Sequence, residues 1–330
     1  AYWRTGKDSP LGVNIIPVTD KKLLRRFIEV PYTVHRKDRL WIPPLRMERA
    51  QTFSPRHNDF FRHAEVALFI AEKDGRDAGR ISAQIDPLLA AAGMPDMGHF
   101  GCLSAIDDQQ VFAALTGAAE GFLRQRGKAH MSGPFSMSIK EEMGLLVEGF
   151  DTPPMLLMGH DPVYAGPHLE RLGLVKEKAV YAYLTDLTVP MSKSGTAMLR
   201  RLPAPNVVLR GLDFSNYENE IRTLVDIFND SWSGNWGFVP MTQAETSVLG
   251  KHLRLLLDKR LVRFAEVDGH AAGFIVVLPN INEAIRDLGG NLFPLGWARF
   301  LWRLKVRGVS SARVPLMGVR RGVSGTMQGA

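Results

Sequence analysis

Apolar residues return along the chain in two rhythms. Between Asp107 and Arg126, Phe112, Leu115, Ala119, Phe122 and Leu123 recur at three- and four-residue steps, which predicts an amphipathic helix. A second helix is predicted from Lys21 to about His35, opened by a Thr19-Asp20 cap. Runs rich in β-branched and aromatic residues predict strands at Val13–Val18, Glu65–Glu72, Gly79–Asp86 and Gly98–Ile106, with short ones at Ala129–Gly133 and Tyr181–Asp186. The Asp-Gly in Lys73-Asp-Gly-Arg76 joins the second and third strands as a hairpin. Asp38 to His63, rich in Arg, Pro and aromatics, reads as an irregular arm.

The same order then repeats. Val207–Leu212 predicts a strand, Asn219–Trp232 and Gln243–Leu257 predict helices, and Leu261–Val267 with Ala271–Leu278 form a hairpin around Asp268-Gly269. Val314–Val319 is a last strand running into a glycine-rich stretch. Phe69-Ile-Ala-Glu-Lys-Asp-Gly75 and Phe264-Ala-Glu-Val-Asp-Gly269 share a skeleton, each followed by a glycine, Gly79 or Gly273, that opens the next strand. This order favours an internal duplication. The Pro-, Ser- and Gly-containing stretch 189–206 reads as a linker between a first domain, 1–188, and a second, 207–330. The expected class is α+β.

Composition narrows the chemistry. The 330 residues are 45% hydrophobic and 23% charged, with 41 Lys and Arg against 34 Asp and Glu, a formal charge of +7. That excess suits an anionic small molecule, an acidic membrane face or a nucleic acid. Its clusters are Lys21–Arg26, Arg299–Arg307 and Arg320–Arg321. No apolar run reaches the roughly 18 residues a spanning helix needs. The single cysteine, Cys102, excludes an intrachain disulfide framework and any all-cysteine metal site. The chain stops within Gly322–Ala330, so it reads as a fragment lacking at least one helix and one strand at its C-terminus.

The duplicated order, with a late strand feeding a glycine-rich turn, resembles the GNAT acyltransferase fold. The window Ser324-Gly-Thr-Met-Gln-Gly329 is similar to the pyrophosphate loop of acyl-CoA-binding members. Gly325 and Gly329 fit that pattern, whereas Ser324 stands for a Gln or Arg and Met327 for a glycine. A turn leading into a helix start offers backbone N–H groups to a pyrophosphate. Longer blocks are similar to a bacterial family of tandem GNAT-like proteins. They include Gly133-Pro-Phe-Ser-Met-Ser-Ile-Lys-Glu-Glu-Met-Gly-Leu-Leu-Val-Glu-Gly-Phe-Asp-Thr-Pro-Pro154, Met158-Gly-His-Asp-Pro-Val-Tyr164, Asn235-Trp-Gly-Phe-Val-Pro-Met-Thr242, Pro279-Asn-Ile-Asn-Glu-Ala284 and Asn291-Leu-Phe-Pro-Leu-Gly-Trp297. One branch of this group resembles the bacterial ceramide synthases. The resemblance implies tandem GNAT-like domains with mixed central sheets flanked by helices. It also implies acyl-CoA as co-substrate and a primary amine, in one branch of long-chain sphingoid type, as acceptor.

Under that resemblance, Met317, Gly318 and Val319 are the expected backbone donors to the thioester oxygen. Arg320, Arg321, Ser324, Gly325, Thr326, Gln328 and Gly329 are expected around the pyrophosphate. In the first domain, Ile106-Asp-Asp-Gln-Gln110 replaces such a loop, and its carboxylates would repel phosphate. Candidate acid–base residues are Glu142, His160, with Asp161 as its neighbouring orienter, and Tyr164. Asn235, Trp236 and Phe238 are read as a substrate wall, and Asn280 and Asn282 either as substrate contacts or as a helix cap. No metal is expected. Residues 292–306, with Phe293, Trp297 and Trp302 among Arg299, Arg303 and Lys305, match an interfacial amphipathic helix. The expected location is cytoplasmic, at the inner membrane face where that helix makes contact. The alternatives are an aminoacyl-tRNA-using transferase and a non-catalytic acyl-CoA-binding protein; nucleic acid is the less favoured partner.

Overall fold

The computed structural model describes residues 12–138, 141–201, 206–254 and 257–325. The first strands and helices are β1 (Val13–Pro17), α1 (Lys21–Val34), α2 (Arg46–Thr52), β2 (Glu65–Lys73), β3 (Arg76–Ile85), α3 (Leu88–Ala91), β4 (Met97–Ala105), α4 (Gln109–Arg124), β5 (His130–Ser132) and α5 (Ala165–Arg171). They are followed by α6 (Lys193–Arg201), β6 (Val207–Gly211), α7 (Tyr217–Trp232), α8 (Gln243–Arg254), β7 (Val262–Val267) and β8 (His270–Pro279). The last are α9 (Ile281–Ile285), α10 (Gly296–Trp302) and β9 (Ala312–Val319).

The chain divides into two units: 1–176 with 280–310, and 177–279 with 311–330. The boundary expected at 189–206 thus lies inside the second unit, and the connection between β8 and β9 belongs to the first. The α+β class holds in both.

In the first unit the sheet order is β1-β2-β3-β4-β5, antiparallel until β5 joins β4 in parallel. Alternation of side chains places Phe69, Ala71, Ile81, Ala83 and Phe100 on one face, against Val111, Phe112, Leu115, Ala119 and Leu123 of α4. On the other face, Ile70 and Cys102 join Phe27, Ile28 and Val30 of α1 and Phe53 and Phe60 of the arm. Asp20 opens α1 by accepting from the Leu23 amide at 2.8 Å, and Asp108 opens α4 by accepting from the Gln110 amide at 2.8 Å.

The second unit has the order β6-β7-β8-β9, antiparallel throughout its described strands. Tyr217, Ile221, Leu224, Val225 and Phe228 form the buried stripe of α7. Tyr181–Asp186 is not a strand: Tyr181 and Tyr183 are 73% and 88% exposed, and the segment pairs with no described strand. Its alternating pattern carries strand propensity, but propensity without a partner edge does not make a sheet.

The duplication is written in the irregularities. Asp74-Gly75 and Asp268-Gly269 both have positive φ, the turn that matches the twist of a two-residue hairpin. Just beyond each turn one extra residue, Ala78 or Ala272, bulges out of the ladder at the same step. An arginine binds carboxylates in each unit, across both hairpin strands in the first and between β7 and α7 in the second. Arg26 lies 2.6 Å from Glu72 and 2.5 Å from Asp77, and Arg210 lies 2.6 Å from Glu220 and 2.5 Å from Glu266. A second bulge recurs in the following strand, at Cys102–Leu103 of β4 and at Val314–Pro315 of β9.

Candidate functional site

The β4 bulge bends the strand at a crowded point. Cys102 adopts φ 49, and at Gly101 an added Cβ would lie 1.6 Å from the Phe135 carbonyl oxygen. Glycine is required there because the chain leaving β5 crosses directly over β4. The Phe135 amide donates to the Phe100 carbonyl at 2.7 Å, and Gln84 Nε2 donates to the Phe135 carbonyl at 2.6 Å.

Polar groups collect on the α1 side of this bulge. Arg80 of β3 is the least expected of them, a guanidinium among apolar side chains. It donates from Nη1 to the Phe27 carbonyl at 3.0 Å and lies over the Phe27 ring at 4.8 Å. Among the described residues its Nε has no hydrogen-bond partner. Burial pushes its pKa down to about 10, against the pull of Cys102 and Glu142. Burial also pushes the Cys102 thiol up, although Arg80 and the Ser82 hydroxyl beside it pull the other way. Arg49 of α2 holds Glu48 at 2.5 Å and reaches Glu142 at 3.8 Å.

Two histidines complete the cluster. His35, just past α1, is 5% exposed and stacks flat on Trp41 at 5.0 Å. Burial, with His160 nearby, pushes its pKa down to about 4, so it is neutral at pH 7. The His160 ring centroid lies 6.1 Å away, and its Nε2 is 2.7 Å from Asp38 Oδ2. Burial works against the Asp38 carboxylate, but hydrogen bonds from His160 and from the Leu40 and Trp41 amides hold it below the usual range. An ionised Asp38 fixes the proton of His160 on Nε2 and leaves Nδ1 as the basic nitrogen.

Two of the three expected acid–base residues therefore meet here. His160 does so through Asp38 rather than Asp161, which instead accepts from the Leu146 amide at 2.9 Å. Burial raises Asp161 to about 6 despite that bond. Neighbours in sequence point different ways, and the orienter comes from 122 residues earlier. Glu142 joins through Arg49, with its side chain 37% exposed. Tyr164 stands apart: its hydroxyl donates to the Ala105 carbonyl at 2.8 Å and its ring packs edge-on to Phe112. Burial raises it to about 12, and its phenol serves the α4 side of the sheet.

The N-terminus of α4, where the resemblance would put a phosphate loop, is closed by the Asp108 carboxylate. That carboxylate also holds Lys73. His168 fills the neighbouring position, bonded to Asp107 at 2.7 Å and to Gln109 at 2.6 Å.

In the second unit, Met317, Gly318 and Val319 run in regular register opposite Ile275, Phe274 and Gly273. The bulge of β9 lies upstream of them, at Val314–Pro315, where the proline has no N–H to offer. Met317 accepts from Trp232 Nε1 at 2.9 Å, and an added Cβ on Gly318 would lie 2.4 Å from Ser231 Oγ.

The turn beyond β9 is partly self-satisfied. The Arg320 amide donates to Ala272, the Arg321 amide to Asp230 at 2.9 Å, and the Val323 and Ser324 amides to the Arg320 carbonyl. The Arg320 guanidinium lies 2.5 Å from Asp226. Arg321 is exposed, packs over Gly234 and has no ion-pair partner among the described residues. It is the cation this turn offers an anion. Gly325, at φ 79, adds backbone with open space around it, whereas Thr326, Gln328 and Gly329 lie outside the described residues. The described part of the turn thus fits a phosphate through Arg321 and not through an empty amide cradle.

Asn235 caps the end of α7 through its amide to Trp232 at 2.8 Å. Trp236 is 39% exposed and donates to Glu177 at 3.3 Å, while Phe238 packs against Phe228 at 5.6 Å. Asn280 caps α9 by accepting from the Asn282 amide at 3.2 Å, and Asn282 Nδ2 donates to Pro154 at 2.7 Å. Both asparagines are tied into the fold. Sequence reasoning missed Asp38, His35, Arg49 and Arg80. Of these, only Arg80, a charge between Gly79 and Ile81 in the middle of β3, left a visible signal.

Comparison with known proteins places the chain. No family model matches it. It is 54% identical over 311 residues to the bacterial ceramide synthase of Caulobacter vibrioides, covering 94% of this chain and 81% of that protein. It is 46% identical over 305 residues to protein YghO of Escherichia coli, covering 91% and 77%. A solved tandem GNAT protein from the clavulanic acid biosynthesis pathway, without AcCoA, aligns with TM-score 0.47 and 12% identity over 96% of this chain and 82% of its own. With half or nearly half of its residues shared with the first two over almost its whole length, the chain belongs to the bacterial tandem GNAT-like acyltransferase family that includes the Caulobacter ceramide synthase.

Proposed function

We propose that the protein transfers an acyl group from acyl-CoA to a long-chain primary amine of sphingoid type, by direct attack of the amine on the thioester. The observation that carries this reading is the 54% identity with the Caulobacter ceramide synthase across 94% of the chain. The amine nitrogen forms a bond to the thioester carbon while a base takes its proton. The tetrahedral oxyanion then collapses, the C–S bond breaks, and CoA leaves as a thiolate that takes up a proton. The thioester is already activated, so the protein needs to supply position, one base and stabilisation of the oxyanion.

His160 is the base in this proposal, with Asp38 its orienter, and Glu142 attracts the ammonium form of the acceptor. The turn after β9, with Arg321, receives the CoA phosphates. The closed α4 N-terminus supports a division of labour in which the first unit takes no part in holding CoA. The test is to incubate the protein with acetyl-CoA or palmitoyl-CoA, each with and without a sphingoid amine, and to follow free CoA and amide by mass spectrometry. Amine-dependent amide from the long-chain donor is the expected result. Amide formed only from acetyl-CoA and small polar amines overturns the lipid reading, and no product with either donor overturns acyl-CoA transfer.

A further inference from the structure

Among the described residues of the first unit, the connection between β8 and β9 carries the largest concentration of exposed aromatic surface. Phe293, Leu295, Trp297, Trp302 and Val306 are 73%, 67%, 48%, 53% and 74% exposed. Trp297 and the also exposed Leu301 sit one turn apart on α10, and Trp302 follows. Soluble surfaces rarely gather this much contiguous apolar area without a partner.

Cations border it. Arg299, Lys305 and Arg307 are exposed on the same segment. Next to them opens a cavity of about 600 Å³ lined by Arg286, Arg303 and Arg307, together with Glu283, Asp287 and the backbone of Gly308. The two carboxylates in its wall are already engaged. Asp287 holds Arg303, whose hydrogen bond keeps Asp287 down at about 2, and Glu283 accepts from the Ser310 amide and hydroxyl at 2.9 and 3.0 Å. Arg286 and Arg307 are left to set the sign of the cavity.

We infer that this segment docks on an anionic lipid bilayer. Phe293, Trp297, Leu301 and Trp302 enter the headgroup–acyl boundary, and Arg286, Arg299 and Arg307 meet lipid phosphates. Aromatic side chains at the headgroup level and cations beside them are the two components that hold an interfacial helix. This goes beyond acyl transfer and does not depend on it, since it needs neither acyl-CoA nor an acceptor.

The test is flotation of the full chain with vesicles of phosphatidylcholine alone or with about a third phosphatidylglycerol, followed by tryptophan emission. Binding to the anionic vesicles at least about tenfold above the neutral ones is expected, with a blue shift and a steep loss in salt. Trp297→Ser with Trp302→Ser, and separately Arg299→Glu with Arg307→Glu, should each lower binding about tenfold; circular dichroism checks that both pairs fold. Absence of vesicle binding, or binding unchanged in both double variants, overturns the inference. So does a change in mass by light scattering on mutating the tryptophans without any lipid binding, because the patch would then join copies of the chain.

Discussion

His160 and Asp38 lie 2.7 Å apart although 122 residues separate them in sequence. The bond ties the arm after α1 to the irregular segment before α5, and it sets which nitrogen of the imidazole is basic. If His160 is the base, His160→Gln should lower kcat at least about 100-fold with little change in either KM. Asp38→Asn should lower kcat about tenfold, because a neutral amide no longer fixes the imidazole tautomer. An Asp38→Asn enzyme with unchanged kcat would show that Asp38 only joins the two segments.

His35 and Asp161 make opposite contributions to stability in acid. The folded His35 titrates near 4 against 6.5 unfolded, so its stabilising neutral form is fully present above 6.5 and lost as pH falls toward 4. Asp161 titrates near 6 against 3.8, so its contribution is full below 3.8 and lost as pH rises through 6. Each is of the order of 3 kcal/mol, and over pH 4 to 6 they largely cancel. Urea midpoints should therefore change little with pH over that range in the parent. They should fall with rising pH in His35→Gln and rise with pH in Asp161→Asn.

Two glycine-to-alanine substitutions should act in opposite directions. At Gly101 the new Cβ meets the Phe135 carbonyl, and backbone cannot step aside, so a loss of more than about 3 kcal/mol is expected. At Gly117, exposed in the middle of α4 with nothing near an added Cβ, a gain of about 1 kcal/mol is expected. Thermal melts of the two single variants check both signs.

Tyr164→Phe removes the hydrogen bond to Ala105 and should cost about 1 kcal/mol of stability while kcat stays within twofold. A fall of about 100-fold in kcat would restore Tyr164 as a catalytic acid.

Arg321→Ala should raise the KM for acyl-CoA about tenfold with kcat nearly unchanged, as expected for a phosphate contact made equally in ground and transition states. Arg320→Ala, which loses a bond to Asp226 instead, should affect KM less.

Elements with strong local grammar were legible in the sequence. The α4 stripe with its Asp108 cap, both Asp-Gly hairpins and the two-fold order all follow from periodicity and turn chemistry. The family resemblance pointed to the same architecture. Tyr181–Asp186 failed because a strand needs an edge to pair with, which local pattern does not encode. The candidate site was half legible for a similar reason. His160 and Glu142 stood out by residue type, but Asp38 is an ordinary acidic residue in an arginine-rich arm until the fold brings it to His160. In β9 the irregularity falls at Val314–Pro315, upstream of Met317, Gly318 and Val319, which pair in regular register.

The first unit is finished by residues that are made late. Gly290, at φ 79, accepts from the Arg46 amide at 3.0 Å, and any Cβ there would meet Arg46, Pro44 and Tyr32 at 2.7 Å. The Gly289 carbonyl accepts from Arg46 Nη1 at 2.5 Å across 243 residues of chain. A ribosome must therefore translate most of the second unit before the start of α2 can be closed. During synthesis the amino-terminal half waits with that seat open, so a chain released early would keep its first sheet but not the closed arm.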